Sequence, residues 1–104
     1  MPVPTTLIQR AREKLADPKH WTKHTSARDL HNLPVDYTDP DACRFCIIGA
    51  LAASTGKPGE YHAAHKIMSK LVPSHYGRRL SAFNDAENTQ HVDVLALFDR
   101  AIAS

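Results

Sequence analysis

Apolar residues recur at helical spacing in four stretches of this chain, and turn or breaker residues fill the intervals. Leu7, Ile8, Ala11 and Leu15 make one side of a first helix, capped by Thr5 or Thr6 and running to about Asp17. Arg10, Arg12, Glu13 and Lys14 supply its wet side, and Pro18 ends it. The helical period is then lost. Trp21 to Arg28 and Pro34 to Tyr37 flank the turn-like Leu30-His31-Asn32-Leu33, which predicts a short hairpin. Asp39 reads as an N-cap, Pro40 as the first helical residue, and Asp41 suits the positive end of the helix dipole. Cys43, Cys46, Ile47, Ala50, Leu51 and Ser54 would then form one stripe of a second helix, stopped by Gly56 and Pro58. A third helix, about Glu60 to Val72, turns Ala64, Ile67, Met68 and Leu71 inward. Ser74 to Asn88 reads as irregular, with Leu80 and Phe83 dipping into the core. Asn88 or Thr89 caps a last helix to about Ala103, whose Val94, Leu95, Phe98, Ala101 and Ile102 form a broad face flanked by Val92 and Leu97. The expected architecture is mainly α (small α+β), four helices with a short β-hairpin between the first two.

The 104 residues suit a single globular domain with one modest core. At 42% hydrophobic and 23% charged, the composition is that of a folded globular chain. No apolar stretch approaches a membrane span, and the first residues lack a basic region followed by an apolar core, so a cytoplasmic chain is expected and no membrane partner. A formal charge of +2 hides a block pattern: residues 1–28 carry +4, 29–56 carry −3, 57–79 carry +4 and 80–104 carry −3. Five of the seven histidines lie in the two basic blocks.

Several chemistries compete for the reactive side chains. Cys43 and Cys46, then fifteen residues, then His62 and His65 approach a zinc spacing. On the expected helices the cysteines face the core and the two histidines face water, so the four cannot converge, and no metal or other cofactor is expected. A redox Cys-x-x-Cys needs an easily ionised thiol, which Asp39 and Asp41 oppose. A Cys-dependent hydrolase or deamidase would use Cys46 as nucleophile, His62, His65, His75 or His91 as base, and Asn84 or Asp85 as orienter. Against it, Cys46 adjoins Ile47 and Ile48 at a packing position, and Asn84-Asp85 has a simpler role tying a loop to the backbone. Tyr76, Arg78 and Arg79, with Trp21 as a further aromatic, are the candidate binding residues. They offer nucleic acid charge but no base-reading element, so any such binding is expected to be weak and electrostatic.

Trp21-Thr22, Ala27-Arg28-Asp29, Pro34-Val35-Asp36 and Asp39-Pro40-Asp41-Ala42 lead into Cys46-Ile47-Ile48-Gly49-Ala50-Leu51. Asn84-Asp85, Val94-Leu95-Ala96-Leu97 and Ala101-Ile102 follow. Over roughly residues 7 to 103 this resembles a family of small bacterial and phage proteins known only as a domain of unknown function. The resemblance implies a fold and a bacterial or phage setting, and no activity. The leading expectation is a small non-enzymatic interaction or regulatory module whose partner is a protein. Inhibition of a host machine is one such role, and the wide last helix offers a homodimer surface. The runner-up is the Cys46 enzyme.

Overall fold

The computed structural model describes residues 4–56 and 59–103, and the side chains of Pro4 and Thr5 are outside that description. Helix α1 spans Pro4–Lys14. Thr5 and Thr6 lie inside it, so the residues that would cap it fall outside those described. Leu7, Ile8, Ala11 and Leu15 are all fully buried, as their spacing requires. The helix stops at Lys14 because Pro18 has no N–H to continue it and Asp17 caps a new element. The Asp17 carboxylate accepts from the Lys19 N–H at 2.9 Å and starts a 3-10 turn, Pro18–His20.

Three two-residue strands follow. β1 (Ala27–Arg28) lies between β2 (Pro34–Val35) and β3 (Arg44–Phe45), antiparallel to both. Ala27 stands opposite Val35 on one side and Phe45 on the other; Arg28 stands opposite Pro34 and Arg44. The hairpin expected around residues 30–33 is the β1–β2 pair.

The second helix departs from the sequence reading. Asp39 does cap a turn, accepting from Asp41 N–H at 2.8 Å, and the Ala42 N–H closes onto the Asp39 carbonyl. That turn does not propagate. The next free donors are taken by the neighbouring strand, with Cys43 N–H on the Arg28 carbonyl at 2.9 Å and Cys46 N–H on the Ser26 carbonyl at 3.2 Å. Helix α2 therefore spans only Ile47–Ala53, and Cys46 is its N-cap. Its start is clamped by a close approach: a Cβ on Gly49 would lie 2.0 Å from the Ser26 carbonyl oxygen. Only glycine fits there.

Helix α3 is Glu60–Leu71, with Ala64 and Met68 buried. The stretch expected to be irregular contains a 3-10 turn, Ser74–Tyr76, and a short helix α4, Leu80–Asp85, which sends Leu80 and Phe83 into the core. Helix α5 runs His91–Ala103. Five α-helices and a small antiparallel sheet thus make up the described residues. Helix α1 packs against α2, α3 and α5. Val94, Leu97, Phe98 and Ala101 of α5 are buried in the common core, so Leu97 belongs to the core face and not its flank. Arg10 fastens three helices. Its Nε and Nη2 donate to the Ser54 carbonyl at 3.1 and 2.9 Å, at the end of α2, and Nη2 meets the Glu60 carboxylate at 3.1 Å, at the start of α3. Arg12 pairs with Asp99 of α5 at 2.6 Å.

Candidate functional site

Asn84 and Asp85, singled out by sequence, sit at the joint between α4, the Trp21–His24 loop and the start of α2. Asn84 is 1% exposed. Its Oδ1 accepts from Trp21 Nε1 at 2.8 Å and from Ile47 N–H at 3.1 Å. Its Nδ2 donates to the Thr22 carbonyl at 3.0 Å and to Asp85 Oδ1 at 2.9 Å. Every donor and acceptor site of a planar amide is thereby occupied. Asp85 Oδ1 also accepts the His24 N–H at 2.8 Å, holding that residue at φ 72°, and Lys23 Nζ reaches the Ala86 carbonyl at 2.6 Å. The pair ties the 21–24 loop in place. It does not brace the segment before the last helix.

Cys46 is close to this joint, yet its sulfur is not presented to a base. Sγ accepts from the Gly49 N–H at 3.2 Å. Burial pushes the thiol above its ordinary range, and the Asp85 charge adds to that; the Gly49 and Ile48 N–H groups only partly offset it. No imidazole hydrogen-bonds to it among the described residues. His91 is turned elsewhere, with Nε2 on the Leu15 carbonyl and its ring centroid 6.1 Å from that of Trp21. His62 and His65 line a cleft on the outer face of α3. Cys43 is half-buried and unpaired with Cys46. The set Cys43, Cys46, His62 and His65 is not assembled, and no group of three or more His, Cys, Asp or Glu able to hold a metal ion occurs among the described residues.

The binding candidates are likewise dispersed. Trp21 serves the Asn84 joint and carries Lys23 Nζ at 5.4 Å over its ring. Tyr76 packs edge-on to Phe83 at 5.5 Å and against His75 at 4.1 Å. Arg79 is exposed as the residue before α4. Arg78 leaves that group and turns toward α3, where Nη1 donates to the Lys70 carbonyl at 2.7 Å.

What sequence reasoning missed lies at the hairpin. Leu30 is 81% and Leu33 58% exposed, on a turn that its own side chains hold fixed. Asp29 Oδ1 accepts from His31 N–H at 2.9 Å and Leu33 N–H at 3.0 Å, while Asn32 takes the left-handed conformation at φ 65°. Arg28 braces the turn from beneath: Nε donates to Thr22 Oγ1 at 2.8 Å and Nη1 to the Asn32 carbonyl at 3.0 Å. At the foot of the hairpin a cleft of about 660 Å³ is lined by Tyr37, Tyr61, Ile48, Ala52, Gly49 and Asp36, among others. Its volume falls within the span of ligand-sized pockets. Bonds from Thr38 N–H and Oγ1, both at 3.0 Å, hold the Asp36 carboxyl below its usual range. Burial raises the Tyr61 phenol above its ordinary range. The signal was present in the sequence: two leucines within a four-residue turn cannot both reach a core.

No helix among the described residues is long and apolar enough to cross a membrane. No curated protein and no solved structure matches the chain. The model described as "Family of unknown function (DUF6197)" matches residues 1–104, and the chain belongs to that family.

Proposed function

We propose that this chain is a non-enzymatic binding module that engages a protein partner through the tip of the β1–β2 hairpin and the tyrosine-lined cleft at its foot. The observation that carries this reading is the rigid display of Leu30 and Leu33 in water. Exposed apolar side chains on a floppy loop would cost ordering entropy on binding; here Asp29, Asn32 and Arg28 have already fixed the loop. Tyr37, 38% exposed, and Tyr61 extend the surface with the side-chain type that dominates binding hot spots. In the bacterial or phage setting that the sequence resemblance implies, inhibition of a host machine is one form such binding would take.

The Cys46 hydrolase reading draws support from the nearness of Asn84-Asp85, but it lacks a base at the sulfur and has a thiol that burial keeps protonated. A homodimer through the last helix has less apolar surface to use, since Phe98, Val94 and Leu97 are in the core and Val92 is the exposed large residue of that helix. The test is a pull-down from the native host with wild type and with a Leu30→Asp, Leu33→Asp double variant. Both should melt alike, and only the wild type should retain a specific protein. Retention of the same protein by the double variant would sink the hairpin reading.

A further inference from the structure

We propose that the outer face of α3, together with Arg78, forms an anion site that takes the phosphate groups of a small di- or triphosphate-bearing ligand. The site uses none of the residues of the hairpin surface and stands independently of it. His62, His65, Lys66, Ser69 and Lys70 recur at helical spacings of three and four, so they share one face of α3. With Arg78 they line a cleft of about 340 Å³, at the lower end of the range for small-molecule sites.

Arg78 reaches the cleft through an unusual path. Gly77 at φ 66° and Arg78 at φ 55° are consecutive left-handed residues, a conformation arginine rarely adopts. The chain turns back on itself there, and Arg78 Nη1 is fixed on the Lys70 carbonyl at 2.7 Å. Capping the end of α3 accounts for that single bond. It does not account for Lys66 and His62, which lie one and two turns earlier on the same face.

The cluster also lacks acids. No carboxylate lines the cleft, and neither lysine makes an ion pair among the described residues. On α1, by contrast, Arg10 meets Glu60 and Arg12 meets Asp99. Lys66, Lys70 and Arg78 line this one cleft without counter-charges, and an anion of two or three charges can meet all three at once. Phosphate fits the donor set. It presents several oxygens at once to an arginine fork, to lysine point charges and to the Ser69 hydroxyl. Ser69 Oγ and His65 Nδ1 lie 3.2 Å apart, and that bond orients the imidazole. A small ligand is favoured over a polymer because the cations are gathered in one cleft, while the whole chain carries only +2.

The test is a titration with inorganic pyrophosphate and tripolyphosphate at constant ionic strength, followed by backbone amide and arginine Nε chemical shifts. Saturable shifts confined to residues 62–70 and Arg78 are expected. Lys66→Gln and Arg78→Ala should each weaken binding by about tenfold or more, the loss typical of one charge-assisted contact. Lys66→Gln removes no hydrogen bond seen in the fold, so it separates lost binding from lost stability. Shifts that never saturate, or that sulfate reproduces at equal concentration, would overturn the site. So would undiminished binding by Lys66→Gln. If a short single-stranded oligonucleotide bound far more tightly and its shifts spread to His75 and Arg79, the small-ligand assignment would be wrong.

Discussion

Replacing Asn84 by alanine tests whether one amide holds the joint between α2, α4 and the Trp21 loop. The substitution strands two donors, Trp21 Nε1 and Ile47 N–H, and deprives the Thr22 carbonyl of its partner. Asp85 keeps the His24 N–H. A buried polar group left without a partner costs about 1–3 kcal/mol. The Ile47 donor is fully inside, whereas Trp21 and Thr22 are half-buried and recover part of their loss from water. The sum is about 3–5 kcal/mol, a large part of the stability of a small domain. At roughly 4–8 °C per kcal/mol for a chain near this size, the melting temperature should fall by about 12 °C or more. Urea titration should show the same loss with an unchanged denaturant slope. Asn84→Asp refines the test. The carboxylate keeps both acceptor bonds, cannot donate to Thr22, and sets a second negative charge against Asp85. The Thr22 carbonyl left without its donor and the repulsion from Asp85 should leave this variant melting below wild type as well. If Asn84→Ala melted with the wild type, the joint would not depend on these bonds and the reasoning would fail.

Gly49→Ala should destabilise by about 2 kcal/mol or more, because the new methyl meets the Ser26 carbonyl at 2.0 Å and backbone has to move. Gly56→Ala, whose nearest neighbours lie at 3.8 Å, is the control, and equal melting shifts for the two would refute the clash. Alkylation of the native protein followed by mass spectrometry should label half-buried Cys43 first and buried Cys46 only on unfolding; prompt labelling of Cys46 would revive the nucleophile. The Asp36 carboxyl should titrate below the ordinary carboxylate range by NMR, and Thr38→Val should bring it partway back. Its bonds favour folding above the unfolded pKa, about 4, and that contribution is lost as pH falls through the folded value. An Asp36 midpoint at the ordinary value would remove the Thr38 bonds from the account.

Local pattern alone determined α1, α3 and α5. Each has an apolar stripe long enough to be buried on one side, and packing fixes only which neighbour covers it. The hairpin was legible too, since Leu30 to Leu33 form a turn between two extended runs, and Leu80 and Phe83 were recognisable as core residues. Tertiary structure decided where α2 begins. Asp39-Pro40-Asp41 carries a strong helix-start signal, and it does form one turn; the carbonyls of Arg28 and Ser26 then capture the Cys43 and Cys46 donors, and a strand replaces the helix. Those acceptors belong to residues 15 to 20 positions earlier in the chain, so no window around Cys46 contains them. The same non-local contact made Cys46 an N-cap, required glycine at position 49, and filled Asn84's hydrogen bonds with groups from two distant segments, the Trp21-Thr22 loop and the start of α2. The two candidate surfaces had the same origin. Leucines in a turn and cations along a helix are visible as residue types. Folding decided that the leucines stay in water on a fixed loop, and that Arg78 turns back to join the α3 cations.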